Sequence, residues 1–262
     1  MDALYSNHDR LIREVTDDLF RFQYDRINWN QRMLAIRGPR GAGKTTLLLQ
    51  YLKFKLRLPA EQALYITADH HWFYNHTLIE TAEEFYLHGG RHLFIDEVHK
   101  YPRWSRELKN IYDGFPDMQV VFSASSALDI YRGEADLSRR VITYELPGLS
   151  FREFLMFSGH ETFPVVTLDD IIQDQHSLTR EINQRIQPIP LFKQYLKYGY
   201  LPLFLESAEE DIPIRLGQVV NAVLESDLAF IENYGAGTVN KVKKLLGALA
   251  ESVPLKPNIS AL

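Results

Sequence analysis

The segment Gly38-Pro39-Arg40-Gly41-Ala42-Gly43-Lys44-Thr45 constrains this chain more than any other, because it fills every fixed position of the pattern G-x-x-x-x-G-K-[ST]. Its glycines let the backbone wrap with N–H groups turned inward, so that several donors converge on phosphate oxygens. Lys44 would then reach the β- and γ-phosphates, and the Thr45 hydroxyl would ligate Mg²⁺. A Gly-rich turn with no ligand is the competing explanation, and the flanks argue against it. Met33-Leu34-Ala35-Ile36 is a short apolar run that reads as a strand, and Thr46 to Phe54 reads as a helix. A phosphate at that junction would meet the unpaired N–H groups and positive dipole end of a helix. The expected nucleotide contacts are Gly38, Pro39, Arg40, Gly41, Ala42, Gly43, Lys44, Thr45 and Thr46.

His92-Leu93-Phe94-Ile95-Asp96-Glu97 is an apolar strand ending in two acids, the Walker B form. Asp96 is expected to hold Mg²⁺ together with Thr45, while Glu97 faces the γ-phosphate and polarises a water. The bland alternative is a buried strand followed by solvated acids. Further strand signals fall at 63–67, 119–123 and 141–146, with helical stretches between them. This alternation predicts an α/β, three-layer P-loop NTPase sandwich with a five-stranded parallel sheet, followed by a mainly α-helical region. The nucleotide would sit at the C-terminal edge of the strands. Ser123-Ala124-Ser125-Ser126 leave the fourth strand there, and Ser125 is expected to sense the γ-phosphate or the water, a plain turn being the alternative. Asp136-Leu137-Ser138-Arg139-Arg140 precedes the fifth strand, and Arg139 and Arg140 could stabilise charge on a transferring phosphoryl group.

Taken together, these segments resemble the AAA+ superfamily, specifically the bacterial and archaeal P-loop ATPases that carry a C-terminal domain of unknown function. The likeness rests on residues 38–48, on Leu93-Phe94-Ile95-Asp96-Glu97-Val98-His99-Lys100, on Trp104 with Lys109, on residues 123–126 and 136–140, and on Leu149-Ser150-Phe151-Arg152-Glu153-Phe154. Gly199-Tyr200-Leu201-Pro202 adds a Gly-aromatic-x-Pro segment. The resemblance covers about residues 30–158 closely. It implies ATP and Mg²⁺ as ligands, Glu97 as the catalytic acidic residue, and arginines that act on a neighbouring subunit's nucleotide, hence a homo-oligomer. Such proteins usually run on well beyond Pro257-Asn258-Ile259-Ser260-Ala261-Leu262, where a cap signal stands at the threshold of a helix. The expectation is therefore of a longer parent protein.

Composition narrows the classes. A 45% hydrophobic content is that of a globular protein, and a formal charge of −5 argues against generic adhesion to nucleic acid or anionic membrane. The absence of cysteine excludes disulfides and thiolate chemistry. The N-terminus lacks a basic apolar leader and no apolar run reaches membrane-spanning length, so a cytoplasmic protein with no membrane partner is expected. Three regions are read: 1–31, an amphipathic helix over 9–24 packing on the core; 32–158, the ATPase domain; and 159–262, a helical lid leading into an incomplete domain. Thr77 to Glu80 and Ser150 to Glu153 are capping boxes, the first helix ending at Gly89-Gly90. Arg152 and Glu153 are read as projecting away from their helix's apolar face, within reach of a subunit interface. His70-His71-Trp72-Phe73-Tyr74-Asn75-His76 could bind a metal or stack a base, against a packed loop. The leading function is Mg²⁺-dependent ATP hydrolysis coupled to movement of the appendage or of an unknown protein partner. A nucleotide-gated assembly switch is the first alternative. A DNA-acting ATPase, resting on Lys241, Lys243 and Lys244, is the second.

Overall fold

The central strands are buried along almost their whole length, as a sheet covered on both faces requires, and successive side chains enter opposite faces. In the computed structural model, which describes residues 1–124, 137, 139–227 and 236–251, the strands are β1 (Met33–Arg37), β2 (Ala63–Thr67), β3 (His92–Asp96), β4 (Gln119–Ala124) and β5 (Ile142–Glu145). Met33, Ala35, Leu64, Ile66, Leu93, Ile95, Val120 and Phe122 enter one core. Their neighbours Leu34, Ile36, Tyr65, Phe94 and Val121 enter another on the opposite face. All pairings are parallel, in the order β2-β3-β4-β1-β5.

The first core is closed by α4 (Leu78–Leu87) and α5 (Trp104–Gly114), the second by α2 (Gln23–Arg26) and α3 (Lys44–Gln50), which continues as a π-helical turn Tyr51–Leu56. The Thr77/Glu80 box caps α4 reciprocally, and Gly89 at φ +95 stops the chain just beyond it. The buried Glu107 carboxylate accepts from the Leu78 and Ile79 amides, an anion on the positive end of α4.

The N-terminal helix differs from the 9–24 expected. α1 spans Asp2–Glu14 and ends at an extended Val15. Apolar spacing through Leu19 and Phe22 suggested continuation, but tertiary partners take the backbone instead. Gln50 Nε2 donates to the Thr16 and Leu19 carbonyls, and Lys53 Nζ donates to those of Arg13 and Val15. Residues 15–22 therefore form an irregular stretch lying against α3.

One compact unit runs from Met1 to Ile212, past the residue 158 boundary suggested by composition. The cause is an aromatic cluster: Phe154, in α6 (Phe151–Phe157), packs against Tyr195, Tyr198 and Phe204. Tyr195 also donates its hydroxyl to the Leu149 carbonyl, and the Leu149 amide donates to that of Tyr200. The second unit begins at Pro213. Among its described residues are a π-helical turn Val223–Asp227 and a helix Ala236–Glu251, with Lys243 Nζ paired to Glu225.

Candidate nucleotide site

The loop after β1 is shaped by two backbone demands. Gly43 sits at φ +89, a left-handed conformation that side chains resist, and turns the chain straight into α3. Gly38 passes so close to the end of β5 that an added Cβ would lie 2.1 Å from the Leu146 carbonyl oxygen. Lys44 is buried, and its ammonium spans the loop, donating to the carbonyls of Gly38 at 2.9 Å and Pro39 at 3.0 Å.

Beside it stands Asp96, at the tip of β3. Its Oδ2 accepts from the Thr45 hydroxyl at 2.5 Å and from the Tyr65 hydroxyl at 2.8 Å. Its Oδ1 accepts from the Ser123 hydroxyl and from the Glu97 amide at 3.2 Å. Four donors, from the start of α3, from β2, from β4 and from the turn after β3, thus fix one carboxylate. Burial first, then Asp96, holds the Tyr65 phenol far above its ordinary range, so it stays a donor.

Glu97 adopts φ +52 and ψ +44, a left-handed conformation uncommon outside glycine. The Ser123 hydroxyl accepts from its amide at 2.9 Å and secures this turn. Its carboxylate is paired with Lys100, three residues on, and Lys100 Nζ also donates to Asp69 at 2.8 Å. Burial alone would lower the Lys100 ammonium, but its two carboxylate partners outweigh that and hold it above its usual value. Burial likewise pushes Asp69 up, and the hydrogen bonds from Lys100 and Thr67 bring it below the usual carboxylate range.

Lys44, Thr45 and Glu97 line one cavity of about 510 Å³, within the size range of small-molecule sites. Arg40, Gly41, Ala42, Gly43 and Thr46 contribute to its wall. Sequence reasoning missed much of the remainder: Thr16, Asp18, Leu19 and Arg21 from the irregular stretch, Phe157 from α6, and Leu203, Leu205 and Glu206 beside Pro202. The Gly199-Tyr200-Leu201-Pro202 segment was the one available signal, and Leu201 Cδ1 does stand over Gly41.

Other expected residues fall elsewhere. Ser125 lies outside the described residues, whereas Ser123 is fully buried and touches both acids. Arg139 is exposed, and Arg140 is paired through two nitrogens with Asp113 at the far end of α5. Because Leu34 stands opposite Ile142, these arginines precede the start of β5, at the sheet edge opposite the loop that follows Arg37. Within one chain they do not meet the cavity. Glu153, read as outward-facing, is instead buried against Arg21, and Arg152 donates to the Phe163 and Pro164 carbonyls. In the His70 to His76 loop, His70 Nδ1 accepts from the Trp72 amide and His76 stacks on Trp72 at 3.7 Å. Among the described residues no group of three or more His, Cys, Asp or Glu could hold a metal, and no helix is long and apolar enough to cross a membrane.

A parallel sheet with a glycine-shaped loop opening onto a helix, and an acid pair on a nearby strand, defines a P-loop nucleotide-binding protein. Residues 30–155 match the AAA domain family. Over these residues the chain is similar to AAA domains. The chain is 26% identical over 261 residues to the uncharacterized protein MJ1637 of Methanocaldococcus jannaschii, covering 94% of this chain and 54% of that protein. It thus spans about half the length of the curated relative it matches. Similar solved structures include C. elegans PCH-2, with 16% identity, TM-score 0.41, and coverage of 84% of this chain and 60% of that one. Another is the Walker-type ATPase PABY2304 of Pyrococcus abyssi, with 11% identity, TM-score 0.41, and coverage of 87% and 74%.

Proposed function

We propose that the chain binds ATP with Mg²⁺ and hydrolyses it in this cavity. The observation that carries the reading is the 2.5 Å contact between Thr45 Oγ1 and Asp96 Oδ2, beside Lys44 and Glu97. A hydroxyl and a carboxylate held together suit a hard cation that takes its remaining ligands from phosphates and water. Thr45 and Asp96 would hold Mg²⁺, which would neutralise charge on the β- and γ-phosphates. Lys44 supplies a positive charge to the same phosphates. Glu97 orients the attacking water and takes its proton, and the strained turn at Glu97 fixes the direction of its carboxylate.

Adenine is the base assigned, on the family match alone, and a cytoplasmic setting follows from the need for ATP. Hydrolysis would move the helical appendage or an unknown protein partner. The gated-switch reading has one specific observation in its favour, the Glu97–Lys100 ion pair, which must open before Glu97 can accept a proton.

Lys44→Ala should lose nucleotide affinity by about 10-fold or more, the weight of a charge-assisted hydrogen bond. Glu97→Gln should keep binding and stop turnover. Titration with ATP and ADP, set beside phosphate release, separates the two, and equal loss of affinity in both variants would defeat the role given to Glu97. Measurable binding with no turnover in the wild type would favour the switch.

A further inference from the structure

Arg21 is a cation from the irregular N-terminal stretch, 5% exposed, set into the back wall of the nucleotide cavity. Its Nε donates to Glu153 Oε1 at 2.9 Å, and its Nη2 to the carbonyls of Pro147 at 2.8 Å and Gly148 at 3.2 Å. Its Nη1 donates to the carbonyl of Ala42, inside the phosphate-binding loop, at 2.5 Å. Glu153 is satisfied as fully: Oε1 also accepts from the Phe22 amide, and Oε2 from the Ser150 amide and hydroxyl. One guanidinium therefore ties together the segment before α2, the loop, the turn after β5, and α6.

Burying a guanidinium costs several kcal/mol, and apolar packing would hold these elements together as well. A fork of fixed donors does something apolar packing does not, which is to set the direction of individual carbonyls. The Ala42–Gly43 peptide is planar and trans, so its C=O and N–H point in opposite directions. Fixing the Ala42 carbonyl on Arg21 fixes the Gly43 N–H on the other side of the same plane, and Gly43 lines the cavity.

We propose that Arg21 is a positioning residue for phosphate binding: with Glu153 as its counter-ion, it holds the Ala42–Gly43 peptide in the orientation that turns the Gly43 donor toward a nucleotide's phosphates. The inference rests on the nucleotide reading above and adds to it a residue outside the loop. It also makes the irregular form of residues 15–22 part of the site, since a continued helix would carry Arg21 elsewhere.

The test measures ATP and ADP affinity with Mg²⁺, and kcat against KM, in the full chain. Arg21→Lys keeps the charge and loses the fork. It should weaken both nucleotides by about 10–100-fold, the weight of a charge-assisted hydrogen bond, and raise KM with little change in kcat at saturation. Arg21→Ala should be partly rescued by millimolar guanidinium ion and not by tetramethylammonium, a readout that general loosening of the fold would not give. If neither Arg21 variant folds, Glu153→Gln, which keeps one acceptor oxygen and loses the counter-charge, must weaken both nucleotides severalfold. Wild-type affinity in a folded Arg21→Lys chain, or in Glu153→Gln where that stands in for it, overturns the proposal while leaving the ATPase reading intact. No nucleotide binding by the wild type overturns both.

Discussion

Asp96 accepts four hydrogen bonds and Glu97 is held in a strained turn by Ser123, so the two acids owe their geometry to side chains outside their own strand. Tyr65 is the partner whose loss is easiest to read. Tyr65→Phe removes a buried bond to a charged acceptor and should lower unfolding free energy by about 1.5–3 kcal/mol, measured by urea denaturation. A shift below about 0.5 kcal/mol would show that the bond carries no weight. Lys100 governs the next residue. Removing its charge in Lys100→Met should release the Glu97 carboxylate from its ion pair and increase turnover at saturating ATP. A fall of tenfold or so in kcat would instead make Lys100 a required part of the site.

At the scale of elements, β2 is an edge strand whose outer amides need partners, and α1 supplies one. His8 is buried in α1 and its Nδ1 accepts from the Tyr65 amide at 2.9 Å. That bond requires the neutral ring protonated on Nε2. Burial lowers the His8 pKa, against the opposing pull of Asp9 and Glu61. The unfolded chain thus binds a proton that the folded chain refuses. His8 therefore contributes stability in full above its unfolded value near pH 6.5, and this share is lost as pH falls through that value toward the lower folded one. Urea midpoints should drop between pH 7.5 and 5.5 in the wild type and drop less in His8→Asn, whose Oδ1 accepts without titrating. Equal drops would remove His8 from the account. The edge is covered only because α1 stops at Glu14 and lies across β2, a placement that the helical spacing of Leu11, Val15 and Leu19 did not reveal.

For the molecule as a whole, Arg139 and Arg140 stand at the opposite sheet edge from the phosphate loop, so any action on a nucleotide belongs to a second subunit. We hypothesise such action. An Arg139→Ala/Arg140→Ala chain should lose on the order of 10³–10⁵ in kcat, and mixing it with Glu97→Gln should restore turnover at composite sites. Sedimentation with ATP and Mg²⁺ should show assembly over the same concentration range. A monomeric wild type with concentration-independent turnover would leave Arg140 as the structural partner of Asp113. The DNA-acting alternative predicts binding that weakens steeply with salt, and the formal charge of −5 leads us to expect none in a filter or anisotropy assay.

Local structure was legible in the sequence wherever the backbone demands specific residues at fixed spacing. The loop after β1 needs glycines that accept left-handed backbone and close approach, and these can be read without knowing the rest of the chain. The acid pair, the capping boxes and the five strands are likewise set by neighbours in sequence, through side-chain alternation and hydrogen bonds a few residues long. What the tertiary structure decided are the long-range pairings: the strand order, Tyr65 and Ser123 on Asp96, Asp69 on Lys100, and Arg21 on Ala42 and Glu153. Arg21 and Glu153 are 132 residues apart, and nothing in the composition around either marks it as buried. An isolated charge in sequence reads as solvated, because burial without a partner is prohibitive; only the folded chain shows that the partner exists.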